Sequence, residues 1–546
     1  MLTRYSIVTL VFFILSTIFV IRPWSFHVQL PFIGRRRFTV GLMTAPILAI
    51  AILWAAQCMG PTQIRHGIAG NDNIKPYNIL ILFVSLAYMA ITLDATGALR
   101  AAAFWVSNKG GSNGRKLYFY FYLLLTALTV LLGNDAVILS GTVFLVYYTE
   151  ATGLNPEAWL IAEFAAANTA SMVLFVGNIT NVVVCEGFRI NNALYTAYTV
   201  LPFLACSVAC YLVLLVQFRS SKKHVPRKLE VTAALDPREA LRDPVSAVFG
   251  TIWILVCLAV VIVLSFFHVD VWIVVLPFAC GKIVFDLAWD HYRYVKKMIP
   301  HFDDESNAPE SVAQERQVSS IPAEIIQKDP NQKGSQLTAL HKVESSSSSD
   351  SAMRNTQTPP PQVRFATFRA RIRKSQRRLA AHFPTFFAAL PRLPLGLVPF
   401  SFAQFILIEA LADQGWIAVF SGWLVTMTGR HTVAVVWIVG VFGVLLCNVS
   451  GTNIGATILL TKVVRASKLS APAELAAAIA LAVASNIGAV SFTYSASLAG
   501  LLWDSILRDK GISINQWRFA VCNILPLVAM TGAGLAVVTA MMVVLY

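Results

Sequence analysis

Apolar passages long enough to cross a hydrocarbon core of about 30 Å recur from one end of the chain to the other, broken by short polar stretches. Each has to be a helix, because a segment in lipid must satisfy its own backbone hydrogen bonds. The pattern predicts two leading spans near residues 5–21 and 38–57, within a leading region 1–76. A first apolar block follows at 77–218. Residues 219–287 hold a basic loop, "RSSKKHVPRK", and two further spans near 247–267 and 270–287. A polar stretch then runs over 288–393, before a second apolar block at 394–546.

The polar stretch carries no hydrophobic periodicity and contains Ser345–Ser349 and Pro359–Pro361, so it reads as a disordered linker. It ends in "RFATFRARIRKSQRRLAAHF", where Phe365, Phe368, Ile372 and Leu379 share a helical face among arginines, the pattern of a helix lying on a lipid surface.

The two apolar blocks can be laid over each other. Gly97 in "LDATGALRAAAFW" answers Gly415 in "LADQGWIAVFSGW", and "LLGNDAVILSGTVFL" answers "LLCNVSGTNIGATIL". Farther on, "EFAAANTASMVLFVGNITN" answers "AIALAVASNIGAVSFTYSAS", and "YTVLPFLACSVACYLVLLV" answers "RFAVCNILPLVAMTGAGLAVV". Weak internal symmetry of this kind points to a transporter built from repeats. Basic segments then set the orientation. If Arg35–Arg37, the stretch Arg100–Lys116, Lys222–Lys228 and the linker all face the cytosol, the span near 78–98 runs inward and its counterpart near 396–417 runs outward. The halves are therefore inverted. The count closes only if residues 117–148 enter and leave by the cytosolic side, as a re-entrant helical hairpin turning at Gly133-Asn134-Asp135. The counterpart hairpin, 433–464, turns at "NVSGTN", Asn448 to Asn453.

Each hairpin precedes a helix that is polar in mid-membrane: "VGNITN" (Val176–Asn181) and "SFTYSAS" (Ser491–Ser497). Glycine beside Asn, Ser and Thr is the composition of a broken helix, and half-helix N-termini offer free N–H groups to an anion or a polar oxyacid. The candidate substrate-binding residues are Asn134, Thr169, Ser171, Asn178, Thr180 and Asn181 in the first half. In the second they are Asn448, Ser450, Thr452, Asn453, Ser491, Thr493, Ser495 and Ser497. The competing reading is interhelical hydrogen bonding, worth about 0.6 kcal/mol per residue.

Asp135 is the candidate proton-coupling residue, since a carboxylate at membrane depth costs about 2.5–3.5 kcal/mol and marks an ion path by default. Its alternative role is to cap the second hairpin arm. Glu150, Glu157 and Glu163 read as interfacial, and Asp94 and Glu409 as helix-end residues.

Composition narrows the function classes. The chain of 546 residues is 56% hydrophobic and 13% charged, with mean hydropathy +0.65, which makes it a multi-pass membrane protein of the plasma membrane or an organelle. The net charge of +15 lies beside the spans, where lipid headgroups account for it, so no nucleic-acid partner is expected. The eight cysteines show no metal-finger spacing, and no metal or cofactor is expected beyond a coupling ion, H+ or Na+. No phosphate-binding loop, His-Glu metal motif or nucleophile elbow is present, so an enzyme or ATP-driven pump is not expected. An anion channel is the alternative class.

The run "GNDAVILSGTVFLVYYTEATGL…AANTASMVLFVGNITNVV" resembles the first-half signature of the ion transporter superfamily, most closely its arsenite permease branch, with the citrate transporters nearby. "SASLAGLLWDSILRDKGISINQWRFAVCNILP" is similar to that family's Gly-Ser-Leu-Ala-Thr-Leu-Leu-Trp helix and the loop after it. The resemblance implies an all-α fold of two inverted repeats, each with a re-entrant hairpin and a broken helix, moving elevator-fashion on a scaffold that commonly forms dimers. It matches Asn134 and Asp135 to the first tip and Thr169, Ser171, Asn178 and Asn181 to the first broken helix. Thr452 and Asn453 match the second tip, and Ser497, Leu498 and Ala499 the second broken helix. The implied substrate is a small oxyanion or neutral oxyacid, with arsenite or antimonite efflux foremost; a citrate, dicarboxylate or sodium/proton transporter is the alternative. Arsenite permeases carry Asp, Lys and prolines where this chain reads "SNIGAVSFTYSAS", a stretch richer in hydroxyls.

Overall fold

The computed structural model describes residues 3–30, 34–71, 74–219, 224–229, 236–267, 269–299 and 375–546. These form two compact units, one of residues 1–286 with 389–546 and one of residues 287–388. The middle of the expected linker, with its serine run and most of its basic amphipathic segment, lies outside the described residues.

The larger unit begins with α1 (Arg4–Ile21), a hairpin of β1 (Trp24–Leu30) and β2 (Gly34–Val40), α2 (Thr44–Ala55) and α3 (Pro61–Ala69). The strands pair antiparallel from Trp24↔Val40 to Leu30↔Gly34. Two expectations are corrected here: the described chain is mostly rather than entirely helical, and the second leading helix starts at Thr44, not near 38. The cause is local. "FHVQ" and "RFTV" are β-branched and aromatic residues alternating with polar ones, a strand pattern.

The first apolar block folds as α4 (Pro76–Ala95), α5 (Ala98–Gly110), α6 (Gly114–Leu132), α7 (Asn134–Ala151), α8 (Pro156–Ala170), a 3-10 turn (Phe175–Gly177), α9 (Ile179–Phe188) and α10 (Asn192–Phe218). After a one-turn α11 (Pro237–Ala240) come α12 (Pro244–Ser265) and α13 (Val271–Val295). Beyond the undescribed residues, 375–382, the described end of the basic amphipathic segment, are helical, and α14 (Pro384–Ala389) and a 3-10 turn (Leu390–Arg392) follow. The second block is α15 (Leu397–Asp413), α16 (Trp416–Thr428), α17 (Thr432–Val449), α18 (Asn453–Ala466), α19 (Ala471–Ile487), a 3-10 turn (Tyr494–Ala496), α20 (Leu498–Asp509) and α21 (Gln516–Leu545).

The same succession thus occurs twice. α5 and α16 both start after a left-handed glycine, Gly97 and Gly415; α8 and α19 both break into a 3-10 turn; α10 and α21 both carry an internal proline, Pro202 and Pro526. Both hairpins reverse at a glycine in a conformation that L side chains rarely adopt, Gly133 (φ +81°) and Gly451 (φ +87°). α10 and α21 lie along each other, with the Cys206 thiol 3.3 Å from the Met530 carbonyl.

Two charge pairs repeat as well. Asp94, near the end of α4, accepts from Ser140 on α7 and pairs with Arg392 at 3.4 Å. Glu409 on α15 pairs with Lys462 on α18 at 2.6 Å. In each block the helix ahead of the hairpin is tied to the hairpin's second arm, a structural use of residues that read as plain helix ends.

In the smaller unit, Asp290 is the hub: it pairs with Arg293 and accepts from the Thr385 amide (2.8 Å) and hydroxyl (2.9 Å).

Candidate functional site

The break after α8 is held by amides. Asn178 caps α9, and Asn181 donates to the carbonyls of Ser171 (2.8 Å) and Leu174 (2.9 Å) at the interruption, the latter also accepting from the Gly177 amide. Both asparagines converge on Asn486, in the last turn of α19. Its carbonyl oxygen accepts from the Ser171 hydroxyl (2.8 Å) and the Asn178 amide (3.1 Å), and its NH2 donates to Asn181 Oδ1 (2.7 Å) and the Ala482 carbonyl (2.8 Å). One residue of the second block therefore closes the broken helix of the first.

Around this centre, Ser485 donates to Thr180 (3.3 Å) and its carbonyl accepts from Asn453 (3.1 Å), bringing the start of α18 to the same cluster. Asn134, at the first tip, donates to Asn168 Oδ1 at 3.2 Å. Thr169 points instead to the Met530 sulfur on α21 (3.2 Å).

The second tip forms a separate cluster. Asn448 Oδ1 accepts from the Ser491 hydroxyl (3.0 Å), the Phe492 and Thr493 amides (3.2 Å each) and the Thr493 hydroxyl (3.1 Å), and Ser495 donates to Thr493 (3.2 Å). Ser450 turns back onto the Leu446 and Thr452 carbonyls. Of the predicted residues, Asn134, Ser171, Asn178, Thr180, Asn181 and Asn453 meet around Asn486 and its neighbours, while Asn448, Ser491, Thr493 and Ser495 meet at the second break.

The four half-helix starts differ. Asn178 caps α9, Thr452 caps α18 by accepting from the Gly455 amide (3.4 Å), and Ser497 caps α20 by accepting from Gly500 (3.0 Å). α7 has no side-chain cap. Asp135 sits in its uncapped first turn, half-buried, with no hydrogen-bond or ion-pair partner among the described residues.

Asn168, Ser485 and Asn486 were absent from the sequence-level set. Their signal was an Asn or Ser-Asn pair in an alanine-rich run immediately before each break. Gln404 on α15 was also missed: both ends of its buried amide lack partners among the described residues, and it faces Gly455 at the start of α18. Glu163 requires a correction. It is wholly buried on α8, not interfacial, and its oxygens meet the Thr142 hydroxyl. It lies more than a turn beyond the Pro156 start, where the helix is covered on all sides. Glu150 is exposed, and Glu157 is tied to Arg518 and His224.

Among the described residues, nine helices are long and apolar enough to cross a membrane, and the molecule is a multi-pass integral membrane protein whose interrupted helices enclose a polar interior. The signature of the citrate transporter family (CitMHS) matches residues 10–295, more than half of the sequence, and the chain belongs to that family, which fits the ion transporter superfamily. It is also 30% identical over 220 residues to the arsenical pump membrane proteins of Escherichia coli K12, Shigella flexneri and Yersinia enterocolitica. That stretch is 39% of this chain and spans about half (50%) of the length of those relatives. The crystal structure of the YdaH transporter of Alcanivorax borkumensis aligns over 100% of this chain and 99% of its own, at 11% identity and a TM-score of 0.45.

Proposed function

We propose that the protein is a secondary transporter of a small neutral oxyacid or oxyanion, of the arsenite efflux type, coupled to protons through Asp135. The observation that carries this is the pairing of an uncapped helix start with an unpartnered carboxylate at the first tip, beside a cluster made of amides and hydroxyls. Arsenous acid is neutral at pH 7 and presents hydroxyl donors and lone pairs. The backbone N–H groups at the start of α7 suit its oxygens, and ionised Asp135 suits its O–H groups, each a charge-assisted hydrogen bond of about 1.5–3 kcal/mol. A proton on Asp135 removes that acceptor. Substrate and proton then compete for one group, the arrangement an exchanger needs.

The repeated element order supports two inverted repeats, and the packing of α18 against α9 and of α7 against α20 supports hairpins and broken helices of the two halves working as one body. An elevator-like movement of that body, on a scaffold that forms a homodimer, follows as the means of alternating access. Membership of the citrate transporter family favours a second reading, a citrate or dicarboxylate carrier, using the same tips.

The test is a panel of radiolabelled arsenite, citrate, succinate, sulfate and sodium on purified protein in liposomes with an imposed pH gradient. Arsenite is expected to accumulate against its gradient. Accumulation of citrate or succinate alone would overturn the oxyacid assignment in favour of the carboxylate one.

A further inference from the structure

Glu163 has no accessible surface, and the one donor within full hydrogen-bond geometry of its oxygens among the described residues serves both: Thr142 Oγ1, on α7, lies 3.0 Å from each. A hydroxyl has a single proton. It can serve both oxygens well only when the carboxyl is itself protonated, donating from one oxygen to Oγ1 while its carbonyl accepts from the Thr142 O–H. Gly141 makes room for this pair, since a Cβ there would stand 2.6 Å from Glu163 Oε1. On α20, the buried Trp503 indole N–H faces the Glu163 carboxyl but makes no hydrogen bond of full geometry among the described residues.

No lysine, arginine or histidine reaches Glu163 among the described residues. The charged groups on the helices packed around α8 lie elsewhere. Arg115 and Lys116 start α6, Asp135 and Glu150 stand at the two ends of α7, and Glu474 starts α19. Asp504 and Arg508 pair with each other near the end of α20, where Asp509 follows, and Arg518 on α21 pairs with Glu157. α10 contributes only uncharged thiols and phenols. An isolated carboxylate at this depth costs about 2.5–3.5 kcal/mol on lenient scales, whereas the neutral acid is already satisfied by Thr142.

We propose that Glu163 is a second proton-binding residue of the transport cycle, protonated in the conformation seen here and ionised when α7 and α20 shift so that the Thr142 O–H and the Trp503 N–H both donate to it. Gly141 and Leu125, packed beside the carboxyl, also line a cavity of about 20 Å3, room for one water to receive the proton. Asp135 is open at the tip; Glu163 is sealed between a hairpin arm and the far side of a broken helix, so its titration reports how those two elements stand. The role in the cycle rests on the transport reading above, but the protonation does not.

The experiment has two arms. Infrared spectra of the protein in liposomes at pH 7, in H2O and D2O, are expected to show a protonated-carboxyl C=O band that persists in Asp135→Asn, is lost in Glu163→Gln, and moves to higher frequency in Thr142→Val. A band unchanged in both Glu163→Gln and Thr142→Val would overturn the proposal. In the second arm, net arsenite flux driven by a pH gradient and the proton flux that accompanies it are measured together. Glu163→Gln is expected to move half as many protons per arsenite as the wild type, and an unchanged proton count would overturn the coupling role. Absence of arsenite and citrate counterflow in the wild type would instead defeat the transport reading, and the infrared result would still stand or fall by itself.

Discussion

The two hairpin tips are built from similar residues and do different things. At the second, Asn448 binds the loop after α19 through one side-chain oxygen that accepts from four groups, and Thr452 caps the arm that follows. Nothing polar is left over in the Asn448 carbonyl. At the first, among the described residues, Asn134 makes one side-chain bond, to Asn168, the arm that follows has no side-chain cap, and Asp135 has no partner. A tip whose hydrogen bonds are all made within the protein can latch; a tip with an uncapped helix start and an unspent carboxylate can bind something else. Under the transport function proposed above, chemistry falls to the first tip and closure to the second, although the sequence repeats itself across both.

The largest effect is expected from Asn486→Ala, because the first broken helix closes on it. The change strands Asn181 Oδ1 and the Asn178 amide in a buried site, at about 1–3 kcal/mol each, while the Ser171 hydroxyl keeps the Asn168 carbonyl. Arsenite counterflow should vanish and the melting temperature fall; retention of both would remove Asn486 as the shared centre. Sidedness comes next. In a Cys280→Ser background, where the remaining cysteines are buried, cysteines at Leu131 and Val449 beside the two tips should react with impermeant thiol reagents from opposite faces of the membrane. Labelling from one face only contradicts the inverted arrangement. The smallest effect belongs to Asn448→Ala. It releases two backbone amides and two hydroxyls at a partly exposed site that water can reach, so stability should drop by only about 1 kcal/mol. Labelling at Val449 should nevertheless speed up, as an unlatched tip opens more often; an unchanged rate would show that Asn448 is packing alone.

Much of this was legible in the sequence. The tips and breaks stood out because Gly, Asn, Ser and Thr interrupt apolar runs, and such interruptions in lipid need a reason. What could not be read depended on partners distant in the chain. Asn486 looks like one polar residue in an alanine-rich helix until Ser171, Asn178 and Asn181, more than three hundred residues earlier, are placed against it. Glu163 was assigned to the interface because it follows a helix start, yet the fold wraps that helix completely. Lys282 and Asp286 went unnoticed inside a span. Four residues apart, they neutralise each other, and Tyr88 adds a hydrogen bond to Asp286 at 3.0 Å.

The contrast between the tips rests on Asp135. The most direct measurement compares wild type with Asp135→Asn in proteoliposomes, following radiolabelled arsenite under an imposed pH gradient and, separately, in counterflow without one. The account predicts that the variant, equally expressed and folded, loses gradient-driven accumulation. Accumulation that tracks the pH gradient as steeply in Asp135→Asn as in the wild type would contradict it.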